Sequence, residues 1–369
     1  MRTILGMCLL IVLIALPAAA ERESIQFLED GRVTVGDSVY ESIEAFHASE
    51  RFRAGGHRCA TKAPEFNLPV AGSPFADPAD CTFASTTIQP EYDFDPKGGT
   101  VYRVPVVFHI VSRTNGVGAV SEALVRSQLD ILNEDFRALP GSLGAPGIDT
   151  GFEFFLANVD PDGLPTTGIN FYQNDDWFSD PGPGFFNSMK DALHWDTDRY
   201  LNIYSNDSAG ALGYATFPQD GAGTTNDGVV LLWSSVGRDA PNGGIYDKGR
   251  TGTHEIGHWL GIFHTFSGGC GDPSFPYTTG DRLADTASQE FPLFNCPGGS
   301  NTCGTLDDIE NYMNYTQDTC MNRFTAEQTN RMRCSFVNYR PLIGQFIAIF
   351  GDDFETGDTT RWSASVGGI

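Results

Sequence analysis

The sequence predicts an α/β fold, a layer of strands backed by helices, on three observations. From Thr100 the chain changes to a β-branched run, TVYRVPVVFHIVS, of the kind a buried strand uses. The next segment, SEALVRSQLDILNEDFRAL, carries helical periodicity, and strand-like runs follow at FEFFLANV, RYLNIYSND and GVVLLW. Short strands alternating with a helix indicate an α/β layer. With 369 residues and 40% apolar content, the chain has material for one large core and smaller flanking pieces.

Taken in order, residues 1–20 read as a secretory signal. Arg2 precedes an apolar run to Leu16, and Pro17 with Ala18, Ala19 and Ala20 ends it, too short and too small-residued for a membrane span. Residues 21–97 show no strong periodicity and are rich in Gly, Pro, Asp and Thr from Gly55 onward, as expected of a prosegment lying on a neighbour. Residues 98–340 hold the main domain. Its first helix should start at the N-cap Ser121 and face the core with Leu124, Leu129, Leu132 and Phe136. A second helix begins between Tyr246 and Gly252. A loop-rich, cysteine-rich stretch follows, and a last helix opens at Thr325 with Gln328 as its capping-box partner. Residues 341–369 form an acidic, Gly-rich tail.

The second helix carries GTHEIGHWLGIFHTF, which holds three of the chain's seven histidines. Positions i and i+4 share a helix face, so His254 and His258 aim at one point. Gly261 can take a positive φ and end the helix, which lets His264 swing back as a third nitrogen. Three neutral imidazoles with one open position is the layout of a catalytic zinc site. Glu255, beside the first ligand, can serve as general base toward water at the metal. His109 and His194 stand alone among strand and aromatic residues and read as structural.

The extended motif HExxHxxGxxH, with the downstream segment IENYMNYTQDTCMNRFT, resembles the metzincin metallopeptidases, whose methionine turn Met313 would supply. More narrowly, HEIGHWLGIFHTFSGGC, GDRLADTASQ and NYMNYTQDTCMNRFTAEQTNRM resemble the pappalysin family in its ulilysin-like branch, from about Thr100 to about Met332. The resemblance implies a twisted, mostly parallel sheet with a backing helix and an active-site helix, plus a smaller irregular subdomain stapled by disulfides. It implies zinc on His254, His258 and His264, Glu255 as acid and base, and Tyr315 as donor to the oxyanion. It places Asp318 at the base of a pocket for Arg or Lys after the scissile bond, and calcium near Asp281 and Asp285, although Ala287 stands where the family has proline. It pairs Cys270 with Cys303 and Cys296 with Cys320.

Removing the signal takes away Cys8 and leaves seven cysteines, an odd number for an oxidising compartment. Cys59, in GGHRCATKAP, resembles the RCG element by which metallopeptidase prosegments keep the enzyme latent, with Ala60 in place of glycine. A thiolate is a good zinc ligand and would fill the open position. Cys81 and Cys334 would then pair; a Cys59–Cys81 disulfide with Cys334 free is the alternative. The formal charge of −24 becomes −25 without Arg2 and argues against nucleic acid and anionic membranes as partners. The expectation is a secreted zinc endopeptidase acting on proteins or peptides, made latent and released by an activating protease. A catalytically inactive binding protein on the same fold, or a non-peptidase zinc amidohydrolase, are the alternatives.

Overall fold

Residues 21–64, which lack clear periodicity, nonetheless contain regular structure. The computed structural model describes residues 23–64, 101–240, 243–277 and 279–343, apart from Ser24 and Glu29. The expected export signal, Cys81, the prosegment's end and the tail beyond Ile343 lie outside the described residues. Strands β1 (Ile25–Phe27), β2 (Val33–Val35) and β3 (Ser38–Tyr40) form an antiparallel meander. Helices α1 (Ile43–His47) and α2 (Glu50–Ala54) follow, each capped by a serine, Ser42 and Ser49, that accepts from the helix N-terminus. Strands of three residues are too short to show alternation in a sequence. Nor does the segment close a core alone: Ile25, Val33, Val35, Phe46 and Phe52 bury against Leu212, Leu232 and Tyr246 of the main body.

The main body is built on β4 (Tyr102–Ser112), whose Val104, Val106, Phe108 and Ile110 face one side of the sheet while Val107 and Val111 face the other. Helix α3 (Glu122–Phe136) leads to β5 (Phe152–Leu156) and β6 (Ile169–Gln173). Both pair parallel to β4, β5 along its first half and β6 along its second. Two short helices, α4 (Asp175–Phe178) and α5 (Ser188–Leu193), precede β7 (Leu201–Asn206), which pairs with β4 in parallel. Strand β8 (Gly213–Ala215), helix α6 (Pro218–Gly221) and β9 (Val229–Leu232) complete the sheet. β9 runs parallel to β7, and β8 closes the edge antiparallel to β9. The sheet is therefore mostly parallel, as expected, with one antiparallel edge.

Helix α7 (Arg250–Trp259) and α8 (Ala326–Tyr339) pack with α3 over one sheet face, where Ile256, Trp259, Met332 and Phe336 join the same core as Phe108 and Ile203. The buried stripe of α3 differs from the expected one. Val125, Gln128, Ile131, Leu132, Asp135 and Phe136 are buried, while Leu124 and Leu129 are only partly so. The reason is polar: Gln128 and Asp135 are turned inward to hold α7. Helix α8 starts at Thr325 with the expected capping box, Thr325 accepting from Gln328 N and Gln328 accepting from Thr325 N.

Candidate active site

Every residue of α7 is buried, so its polar ends must be satisfied by neighbours. Its N-terminus has no side-chain cap of its own and begins after Gly249 in a left-handed conformation. Asp318 replaces the cap: its Oδ2 accepts from Lys248 N at 2.9 Å and Arg250 N at 3.2 Å. Asp135 accepts from the Arg250 guanidinium at 3.0 Å and from the Thr253 hydroxyl at 2.7 Å, with both members of the ion pair fully buried. Gln128 donates to Gly249 O at 2.9 Å. The helix is thereby fixed in rotation, which sets where its histidines point.

His254 and His258 lie one turn apart, and Gly261, at φ 91, turns the chain so that His264 meets them. The three Nε2 atoms are 3.0–3.2 Å from one another. Nδ1 of His254 donates to Tyr312 O at 2.6 Å and Nδ1 of His258 to Ile262 O at 2.7 Å, which leaves the Nε2 lone pairs aimed inward. Burial lowers all three pKa values, that of His258 to about 3, and so keeps the rings neutral. Three converging acceptors with no donor between them repel unless a cation joins them. Tetrahedral zinc with nitrogens at about 2.0–2.1 Å would set those nitrogens about 3.3 Å apart, so the donor set fits that metal.

Glu255 is fully buried beside this cluster, and desolvation pushes its carboxyl up to about 7. Its Oε2 accepts from the Thr61 hydroxyl at 2.8 Å and from Cys59 Sγ at 3.5 Å. The Cys59 sulfur also stands 3.6 Å from His258 Nε2 and completes a four-residue group with the histidines, all ligand atoms within 4.8 Å of one another. Cys59 is a free thiol, so the alternative Cys59–Cys81 disulfide does not form. Thr61 was not singled out by the sequence. It accepts from Ala215 N at 2.8 Å while donating to Glu255, and Ala60 N donates to Gly213 O and Leu212 N to His57 O, so residues 57–61 lie along the edge strand β8.

Beneath α7, Met313 packs so tightly that a Cβ on Gly257 would stand 2.5 Å from its sulfur. Tyr315, two residues on, packs against His264 with ring centroids 4.9 Å apart and against His254 at 5.8 Å. Asp318 is fully buried, and its Oδ1 has no hydrogen-bond partner. Arg58 is also fully buried, lies over the Tyr246 ring at 4.8 Å and lowers the Asp318 pKa against the larger effect of burial, which raises it. The local sequence marks Arg58 only as the residue before Cys59 in the RCG-like element and does not mark Thr61, because their contacts depend on how the prosegment docks.

Cys270–Cys303 and Cys296–Cys320 are disulfides, as the resemblance implies. Cys334 is disulfide-bonded as well. Asp285 accepts from Thr325 Oγ1 and Glu327 N and so supports the start of α8. Asp281 accepts from Leu283 N with Oδ1, while its buried Oδ2 has no hydrogen-bond partner. Among the described residues, neither aspartate belongs to a group of three converging metal-ligating side chains. His109 is structural, as expected: it is buried, bonds Asn202 Oδ1 at 3.0 Å and stacks on Tyr204.

A histidine helix resting on a methionine turn beneath a mostly parallel sheet is the arrangement of the metzincin zinc metallopeptidases. Known proteins narrow the class. The family model described as pregnancy-associated plasma protein-A matches residues 185–337. Extracellular metalloprotease 1 of Coccidioides posadasii is 38% identical over 246 residues, 64% of this chain and 78% of that protein. An extracellular metalloprotease of Sordaria macrospora is 35% identical over 248 residues, 64% of this chain and 75% of that one. Among solved structures, mirolysin in complex with a compound superposes with a TM-score of 0.58 at 32% identity, covering 67% of this chain and 97% of that one. A promirolysin mutant of Tannerella forsythia gives 0.56 at 33%, covering 67% and 85%. The chain belongs to the pappalysin family of zinc metallopeptidases.

Proposed function

We propose that the chain is the latent, secreted precursor of an endopeptidase that cleaves before basic residues. The observation that carries the reading is the convergence of the three Nε2 atoms at 3.0–3.2 Å beside the buried Glu255. His254, His258 and His264 hold zinc. When bound, zinc supplies Lewis acidity toward a peptide carbonyl and toward water. Glu255 takes the proton from that water and returns it to the leaving amine, and Tyr315 donates its hydroxyl to the developing oxyanion. Asp318 offers its unpartnered Oδ1 to an Arg or Lys side chain after the scissile bond. Arg58, whose positive charge already acts on Asp318, supports that preference.

Latency follows from the same contacts. Cys59, grouped with the three histidines, would serve as a further ligand to the zinc they hold, and Thr61 takes the oxygen of Glu255 that water would need. Cleavage between Cys59 and β4 by an activating protease releases both. Export is supported by the extracellular naming of the relatives, and no helix among the described residues is long and apolar enough to cross a membrane. Calcium at the 281–285 loop belongs to this reading, supported by the unpartnered Asp281 oxygen. The test is a peptide library cut by the processed protein, with and without a zinc chelator, beside Glu255→Ala. Chelator-sensitive cuts before Arg or Lys, absent from the variant while its zinc content is kept, are expected. A zinc-loaded, processed protein that cuts nothing would overturn the reading.

A further inference from the structure

A cavity of about 240 Å³ opens between the 182–187 loop, the end of β8 and α6, and is bordered by Phe217, whose ring packs on His258. Phe185, Tyr214, Thr216 and Asp220 border it, and so does Lys62 of the prosegment. The Lys62 ammonium lies over the Phe185 ring, 5.6 Å from its centroid, and so close to the loop backbone that a Cβ on Gly184 would stand 2.8 Å from Nζ. Phe185 is 59% exposed, an aromatic face that gains little unless something covers it. The prosegment thus carries one cation on each side of Cys59: the buried Arg58 over Tyr246, whose charge reaches Asp318, and Lys62 on Phe185.

We propose that this cavity is a second substrate subsite, taking a lysine or arginine side chain four residues from the basic residue that enters the Asp318 pocket. The proposal rests on the reading of Asp318 given above. The spacing is that of Arg58 and Lys62 on a strand whose backbone pairs with β8. Once the prosegment leaves, β8 is an open edge with Gly213 O and the N–H groups of Leu212 and Ala215 unpaired, and an extended substrate can add there as a strand. With its basic residue after the cut, such a substrate runs opposite in direction to residues 58–62, and the side chain four residues N-terminal of that residue reaches the cavity that Lys62 borders. A cation in the second cavity meets the Phe185 face and the exposed Asp220 carboxylate. Lys190 also borders the cavity, but its ammonium is committed inward: it donates to Asn226 O at 2.9 Å and lies over the Tyr204 and Tyr214 rings at 5.7 and 5.3 Å. The acidity of the whole chain favours the same substrates, peptides with two basic residues flanking the cut.

The experiment walks a single lysine along the N-terminal side of a peptide that has arginine after the scissile bond and is otherwise neutral. With the processed protein, lysine four residues from that arginine is expected to raise kcat/KM about tenfold over alanine, mostly through KM, consistent with about 1.4 kcal/mol per factor of ten. Phe185→Ala with Asp220→Asn should remove the gain and leave the requirement for arginine intact. Anisotropy of the same labelled peptides on zinc-loaded, processed Glu255→Ala should rank them in the same order. Lysine without effect at three, four or five residues, or a gain that survives in the double variant, would overturn the proposal. Binding that ranks as expected in a protein that never cuts would sink the catalytic reading alone and leave the subsite standing.

Discussion

The region above the histidines and the region below them are held by different forces. From β4 to α7, strands and helices bury a continuous apolar core, and Arg250 and Asp135 enter it as a matched pair. Between Trp259 and Ala326 the described residues contain no helix or strand. That region is held by two disulfides and by side chains that replace a hydrogen-bond ladder. Asn314 alone accepts from Tyr315 N, Leu293 N and Gln289 Nε2 and donates to Asp308 O. The site needs both: His254, Glu255 and His258 come from the apolar frame, while Tyr315 and Asp318 come from the stapled loops. Chemistry of fixed geometry is thus hung on a loop region that cross-links keep from wandering.

The largest expected effect tests the frame. Asp135→Ala leaves the Arg250 guanidinium buried without its carboxylate, which costs about 3–5 kcal/mol for a broken buried pair. Denaturant titration should show the whole main body losing that stability together, since α3 and α7 share one core. A variant of unchanged midpoint would mean that Arg250 finds water and that α7 is not locked by this pair. Removing the staple should act differently. Cys270→Ser with Cys303→Ser opens a link across 33 residues and costs about 4 kcal/mol in a chain-entropy account. The loss should appear as faster amide exchange in residues 266–320, with α3 and α7 still protected. Equal loss in both regions would erase the distinction between them.

What the sequence disclosed follows the same division. Helix α7 and its three histidines were legible because ligand spacing and helical period coincide, and α8 because its capping box is a local signal. The sheet was legible at β4, β5, β7 and β9, which carry runs of apolar, aromatic or β-branched residues. Strands β6 and β8 were not: β6 leaves Phe171 exposed, and β8 is three residues long. On α3, apolar periodicity named Leu124 and Leu129, whereas the helix turns Gln128 and Asp135 inward to bond Gly249 O, the Arg250 guanidinium and the Thr253 hydroxyl. Thr61 and the cap role of Asp318 depend on contacts more than fifty residues apart in sequence, which no local pattern encodes.

Proton titration sharpens the account of the frame. His109 is buried and neutral, with its pKa lowered to about 4 chiefly by desolvation. A depressed histidine stabilises the fold fully above its unfolded value of about 6.5 and loses that contribution as pH falls toward 4. Asp135 and Asp207, whose burial raises them to about 6, titrate in the opposite sense, so total stability hides the effect. The difference between the wild type and His109→Gln isolates it. That difference should shrink by about 2 kcal/mol between pH 7 and pH 5. A difference independent of pH would show that His109 titrates in the fold as it does in the unfolded chain, and that burial does not depress it.

The smallest effect on stability falls at the junction of the two regions, and there its effect on function should be out of proportion. Gly261 sits at φ 91, and an added Cβ would stand 2.9 Å from Ser335 Oγ, so Gly261→Ala meets strain in the backbone and a contact that must give. The cost is about 1–3 kcal/mol. If the chain relieves the strain by rotating the residues that follow, His264 moves while His254 and His258 stay on their helix. Zinc held by two imidazoles in place of three should then bind weakly, and competition with a chelator would read that loss directly, independent of activity. A variant less stable by that amount but with unchanged zinc affinity would mean that the loops below position His264 without the turn, and that the lower region is stiffer than its lack of helices and strands suggests.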